Sequence, residues 1–220
     1  MTQAHTAGLL LAAGLGKRMG CQKLLMPWPP DSGTGQTTVI ESAYDGLAPH
    51  CPCGMSIVTG ADHESIAAML GARPAQWVTG DSHAPMFHSV LCGLRQALAD
   101  SSAQAVFVHP ADHPVIEQRA VSRMLNELDL SGPSVAAVVI PTYHDRGGHP
   151  ILLNRAACRF VVNHGTQIPD PPKGLRGVFD AMSGRITRLP CNDCPWARID
   201  LDTASEYEQA YARRVAEQHQ

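Results

Sequence analysis

The sequence predicts an α/β protein built on a mainly parallel sheet. Three observations carry this. Short apolar runs recur along the chain, and they are continuous rather than alternating, as strands covered on both faces are. Segments with helical spacing of apolar residues separate them, the order that gives parallel strands joined by helices. The first run, Ala7–Ala13, stops at a glycine-punctuated loop, Gly14–Gly20. Sheets of this class bind ligands beyond the carboxyl ends of their strands, where such a loop would lie.

Taken in order, Ala7–Ala13 reads as the first buried strand. Lys23–Trp28 leads away from the loop, and Pro29–Gln36 reads as a turn or hairpin tip. Thr37 and Thr38 can start a helix through Leu47, with Val39, Ile40, Ala43 and Leu47 on one face. Met55–Thr59 reads as a strand. Asp62 is expected to cap a short helix with Ile66, Met69 and Leu70 inward. Gln76–Thr79 is a short strand, Met86–Leu98 a helix, and Ala105–Val108 a buried strand running into His109-Pro110-Ala111-Asp112. Val115–Leu128 reads as helix, Ser134–Ile140 as a valine-rich strand, and Ile151–Leu153 as a shorter one. Gly165–Gly174 is rich in Pro, Asp and Gly and reads as a mobile loop. The tail carries strands at Ile186–Leu189 and Ile199–Leu201, then a helix from Thr203 to Ala216.

The chain has 220 residues, which fits one domain over 1–220 with a sizeable core. Its formal net charge of −3 gives no support to a nucleic-acid or anionic-membrane surface. No apolar run reaches the ~18 residues that a spanning helix needs. Ala7–Ala13 is too short for a signal-peptide core and no positive segment precedes it, so a cytoplasmic protein is expected. The seven cysteines are odd in number, and a chain this long needs no stapling. Cys51-x-Cys53 and Cys191-x-x-Cys194 are expected to be free thiols rather than a zinc site, because the first spacing is poor and the pairs flank unrelated strands. Cys21, inside the glycine loop, is a candidate oxidisable thiol beside cations.

The loop reads Leu11-Ala12-Ala13-Gly14-Leu15-Gly16-Lys17-Arg18-Met19-Gly20, followed by Lys23-Leu24-Leu25. Its glycines let the backbone turn sharply and present amides to an anion. Lys17, Arg18 and Lys23 concentrate positive charge on one short segment, with Arg able to fork onto phosphate oxygens and Lys acting as a point charge. No Gly-Lys-Ser/Thr closes it, so it is not a Walker loop, and its glycine spacing is not that of dinucleotide folds. The alternative is a basic surface turn.

Leu-Ala-Ala-Gly-x-x-x-Arg-Met-Gly-x-x-Lys-Leu-Leu resembles the signature of the MobA-like nucleotidyltransferases, and is most similar to the molybdenum cofactor cytidylyltransferases. The resemblance continues at Ser89, at Asp112-His113-Pro114, at Gly148-His149-Pro150 and at Asp200-Leu201-Asp202-Thr203, and so spans Leu9 to Tyr207. It implies a Rossmann-like, three-layer α/β/α nucleotidyltransferase fold of the GT-A-like kind. It implies transfer of CMP from CTP to molybdopterin with release of pyrophosphate, and Mg²⁺ as the cofactor. Leu11, Ala12, Ala13, Gly14, Gly16, Lys17, Arg18, Lys23 and Ser89 would bind the nucleotide, with Arg18, Lys23 and Asp112 as the catalytic group. Asp112 and Asp202 would hold the metal, and Gly148, His149 and Pro150 the pterin acceptor.

Each assignment has a plainer alternative. Asp112 could cap the helix expected from Val115, and Asp202 could cap the last helix. On a strand, Asp200 and Asp202 would point to opposite faces, so that only one faces the site. Ser89 could be a simple cap. The three nearby histidines, His88, His109 and His113, are left out of the catalytic set, because a phosphate acceptor needs no base. Ala13 stands where the guanylyl branch of the family carries glycine, and its methyl narrows the space beside the base, favouring CTP over GTP. Lys17, the His109-Pro110-Ala111 stretch and Pro169–Lys173 depart from the family's usual form and bear on the acceptor more than on the nucleotide. Guanylyl transfer to molybdopterin, a sugar-phosphate acceptor, and a non-catalytic chaperone that hands cofactor to a client molybdoenzyme are the competing readings.

Overall fold

The computed structural model describes residues 5–14, 22–30, 35–128, 135–167, 174–182 and 184–218. Among these residues the strands are β1 (Thr6–Ala12), β2 (Pro27–Trp28), β3 (Thr37–Thr38), β4 (Met55–Thr59), β5 (Gln76–Thr79), β6 (Ala105–Pro110), β7 (Ala137–Tyr143), β8 (Arg146–Gly147), β9 (Ile151–Asn154) and β10 (Arg185–Pro190). The helices are α1 (Val39–Leu47), α2 (His63–Leu70), α3 (Met86–Ala99), α4 (Gln118–Glu127), α5 (Arg155–His164), α6 (Gly174–Ala181) and α7 (Ala204–Gln218). The main sheet runs β10-β7-β9-β6-β1-β4-β5, with β8 paired to β7. β1 lies parallel to both β4 and β6, β4 to β5, and β7 to β10, while β9 runs antiparallel between β6 and β7. The mainly parallel α/β fold is therefore as the apolar runs predict.

Strand alternation builds the three layers. On one face Leu10, Ile57, Phe107, Val139 and Leu152 pack with α1, α2 and α4. On the other, Leu9, Val58, Val106, Val108, Val138 and Leu153 pack with α3, α5 and α6. The inner strands β1, β6 and β7 thus serve two cores, which is why they read as near-continuous apolar runs. Gly93 of α3 lets that helix lie directly on Leu9, since a Cβ there would overlap the leucine side chain.

The chain leaves β1 for β4 and β5 on one side, then returns to β6 on the other. The crevice where the direction reverses lies beyond the ends of β1 and β6. Two segments are pinned across it. Leu24 anchors the 3₁₀ turn Lys23–Leu25 in the core, and Trp28 follows, 1% exposed. The Trp28 ring meets Trp196, Tyr207 and Tyr211 at centroid distances of 6.1, 6.3 and 6.1 Å. Contacts of this kind contribute about 1 kcal/mol each beyond burial. They tie the stretch after the glycine loop to the 3₁₀ turn Pro195–Arg198 and to α7.

Several local expectations change. Thr38 is the N-cap of α1 and forms a capping box with Glu41. Asp62 occupies the N-cap position of α2 without capping it; its carboxylate instead accepts a hydrogen bond from Gln22. α4 starts at Gln118 rather than Val115, because Val115 and Ile116 are spent on the core and Ile116 fills the space above Gly46. Ser134 lies outside the described residues, and β7 begins at Ala137. The expected strand Ile199–Leu201 is absent: Pro195 opens a 3₁₀ turn and the chain stays irregular to α7. α5 and α6 have no counterpart in the sequence reading. α5 is started by Asn154, whose side chain accepts from Ala157 N and Ala137 N. Gly165–Gln167 is a 3₁₀ turn, and Pro169–Lys173 lies outside the described residues.

Candidate active site

β1 delivers Leu11, Ala12, Ala13 and Gly14 to the crevice. Leu11 O accepts from Ala111 N at 3.0 Å, which sets the end of β1 beside the end of β6. Gly14 is exposed with open space around it. Ala13 is buried: its methyl belongs to the core cluster with Val58, and a Cβ on Gly80 would lie 3.2 Å from it. The wall beside Ala13 is made by the turns after β4 and β5, joined by Ser82 Oγ accepting from Ala61 N at 2.9 Å. Gly16, Lys17, Arg18 and Cys21 lie outside the described residues.

Lys23 Nζ meets Asp112 Oδ2 at 2.7 Å and Asp202 Oδ1 at 3.1 Å. Residues far apart in sequence are thus gathered on one cationic atom. Burial works against the Lys23 charge, but Asp112 and Asp202 outweigh it and hold its pKa above the ordinary lysine value. Asp112 caps nothing, since α4 begins six residues later behind Glu117. Asp202 does not cap α7 either; Thr203 Oγ1 accepts from Glu206 N at 3.2 Å. Both helix-cap alternatives are removed.

The segment Ala197–Asp202 stitches the motifs together. His149 N donates to Ala197 O at 2.7 Å, Arg198 Nη1 to Gly147 O at 2.9 Å, and Leu201 N to Asp112 O at 3.2 Å. Gly148 is required at this seam, because a Cβ there would strike Ala197 O. No strand holds Asp200 and Asp202 in alternation. Burial, then the charges of Asp202 and Asp112, push the Asp200 carboxyl above its usual range, so all three carboxylates share one field. Sequence reasoning sets Asp200 aside in favour of Asp202 because it expects a strand, and it misses Arg198, which only this tertiary stitching brings to the crevice. Ser89 lies buried in the first turn of α3, where the N-cap position belongs to Pro85, so Ser89 is not a cap. No direct hydrogen bond joins it to the other predicted residues among those described.

Near the carboxylates, the buried His109 and His113 and the half-buried His149 form a trio with ring centroids 4.9 to 6.3 Å apart. Burial, then the neighbouring ring's charge, lowers each pKa to about 3, so the rings are neutral at pH 7. His109 Nε2 bonds His113 O at 2.8 Å, and the Nδ1 atoms of all three have no partner among the described residues. His88 lies apart, near Cys92 on α3.

The carboxylates fit a divalent cation in one respect: Asp112 and Asp202 already converge on a single positive charge. Among the described residues no set of three or more His, Cys, Asp or Glu is spaced to hold an ion unaided. Such a site suits a hard cation that keeps water or phosphate oxygens in its shell. The described cysteines are free thiols, and no described helix is long and apolar enough to cross a membrane.

Residues 8–184 match the model of the MobA-like NTP transferase domain, and the chain belongs to that family. No curated protein matches significantly. Among solved structures, a nucleotidyl transferase from Methanothermobacter is similar over 96% of this chain and 98% of its own, with TM-score 0.73 and 18% identity. The Rv0371C protein of Mycobacterium tuberculosis in complex with manganese covers 94% of this chain and 98% of its own, with TM-score 0.68 and 20% identity. Molybdopterin-guanine dinucleotide biosynthesis protein A of Archaeoglobus fulgidus covers 96% and 99%, with TM-score 0.64 and 12% identity. At these identities the likeness is one of fold, the α/β fold of nucleotidyltransferases.

Proposed function

We propose that this member of the MobA-like NTP transferase family transfers CMP from CTP to a molybdopterin-type phosphate monoester and releases pyrophosphate. The observation that carries the reading is the meeting of Lys23 with Asp112 and Asp202 at the end of the glycine loop. An oxygen of the acceptor phosphate attacks the α-phosphorus. That P–O bond forms as the bond to the β-phosphate oxygen breaks, and pyrophosphate leaves with the electron pair. The acceptor is largely ionised at neutral pH, as a second phosphate pKa near ~6 requires, so no general base is needed. The neutral, enclosed histidines agree with that.

The work of the chain is positioning and charge stabilisation. Gly14, Gly16 and neighbouring amides would cradle the triphosphate, with Lys17, Arg18 and Lys23 on its oxygens and Ser89 contributing its hydroxyl. Asp112 and Asp202 would hold a divalent cation, Mg²⁺ in this reading, and the manganese complex of a structural neighbour supports metal use. When bound, the cation offsets phosphate charge. Gly148, His149 and Pro150 would receive the pterin. A client molybdoenzyme would take the product. The free thiols support a reducing, cytoplasmic setting.

CTP is favoured because the Ala13 methyl fills the gap against Gly80 on the side where a base would lie. GTP is the second reading, supported by the likeness to the Archaeoglobus molybdopterin-guanine dinucleotide biosynthesis protein A. Pyrophosphate release with Mg²⁺ and molybdenum cofactor, compared across CTP, GTP, UTP and ATP, tests the choice. Release with CTP alone supports it. Release only with sugar phosphates as acceptor, or with no acceptor at all, overturns it.

A further inference from the structure

We propose that Arg198 is the binding residue for the acceptor's phosphate group. The proposal rests on the nucleotidyl-transfer reading above and adds the group that seats the nucleophile. Arg198 ends the turn Pro195–Arg198, and its Nη1 donates to Gly147 O at 2.9 Å. That single bond fixes the guanidinium against the Gly147-Gly148-His149 loop and leaves the rest of its fork free. The adjacent Ala197 O accepts from His149 N at 2.7 Å, which holds Arg198 at the loop that carries His149.

Arg198 has no carboxylate partner among the described residues, and only one arm of its guanidinium is used. Lys23 is held by Asp112 and Asp202. Arg73 and Arg123 are paired with carboxylates, and Arg155 spends its guanidinium on the carbonyls of Leu98, Asp100 and Ala103. A half-buried guanidinium with a single carbonyl partner lacks an anion.

The position is the one where an anion is needed. Leu201, three residues on, is bonded to Asp112 O, so Arg198 stands between the Gly148 loop and the carboxylates. A phosphate dianion approaching a triphosphate past Asp112, Asp200 and Asp202 is repelled unless a cation receives it. An arginine fork matches phosphate oxygens in pairs, which a lysine point charge does not. Gly148 keeps the loop closed on Ala197 and therefore keeps the fork in place.

Steady-state turnover of Arg198→Met and Arg198→Lys with Mg²⁺, CTP and molybdenum cofactor tests this, alongside calorimetric titration of CTP. Arg198→Met is expected to raise the acceptor KM by about 10- to 100-fold, the range for losing a charged hydrogen-bonded contact, while CTP affinity stays within about twofold. Arg198→Lys is expected to recover part of the loss. Inorganic phosphate should compete with the acceptor in the parent protein and lose potency in Arg198→Met. An unchanged acceptor KM in Arg198→Met, with the parent active, overturns the proposal alone. Equal losses for CTP and acceptor also overturn it, since they mark a structural role. A parent chain that turns over no nucleotide overturns the underlying reading instead, and the acceptor site with it.

Discussion

Acidification should unfold this protein through three histidines. His109, His113 and His149 are neutral in the folded state with pKa values lowered to about 3, from 6.5 when unfolded. Burial is the first cause, and the neighbouring rings add to it. A base with a lowered folded pKa binds fewer protons than its unfolded form between those two values. Stability is therefore retained above pH 6.5, falls as pH drops through 6.5, and goes on falling to about pH 3. Each ring contributes about 1.4 kcal/mol per pH unit in that window. The three together contribute about 4 kcal/mol per unit, a large share of the ~5–15 kcal/mol that holds a domain folded. Urea unfolding followed by circular dichroism at pH 7 and pH 5.5 should show a loss of about 4 kcal/mol. His113→Phe removes a ring with no hydrogen bond from its Nδ1 and should reduce that loss by about one third. A loss below about 1 kcal/mol, or the same loss in His113→Phe, would refute the reasoning.

Other perturbations read other links. Ala13→Gly opens the gap against Gly80 and should shift kcat/KM from CTP toward GTP by about tenfold or more, as one methylene in a pocket does; an unchanged ratio of the two substrates removes Ala13 from base choice. Gly148→Ala forces the acceptor loop off Ala197 O and should lower turnover by about 100-fold, with CTP titration unaffected. Thr38→Ala breaks the capping box of α1 and should lower stability by about 1 kcal/mol, seen as a melting shift of about 2–4 °C.

The sheet was legible because its inner strands serve two cores and read as apolar runs. Met55–Thr59, buried throughout, keeps its expected bounds, as does Gln76–Thr79, which is a mostly exposed edge strand. Thr38 and Glu41 announce α1 through capping chemistry. α5 was hidden because its start depends on Asn154, whose three bonds join β7, β9 and the helix, a tertiary feature. The alternation Ile199, Leu201 imitates a strand, but Leu201 finds Asp112 O rather than a neighbouring ladder. In the site, the motifs that carry the family resemblance single out Lys23, Asp112 and Asp202. The expected strand alternation sets Asp200 aside and Arg198 lies in no motif, since their place follows from how the segment after Pro195 crosses the crevice.

The central claim is that Asp112 belongs to a nucleotidyl-transfer site. Its most direct test is Mg²⁺-dependent pyrophosphate release from CTP and molybdenum cofactor by Asp112→Asn, beside the parent protein. The change keeps the shape of the side chain and removes the charge facing Lys23. A loss of about 100-fold or more in kcat, as removal of a charge-stabilising group gives, with the melting temperature retained, is the predicted result. Turnover equal to the parent's would contradict the account.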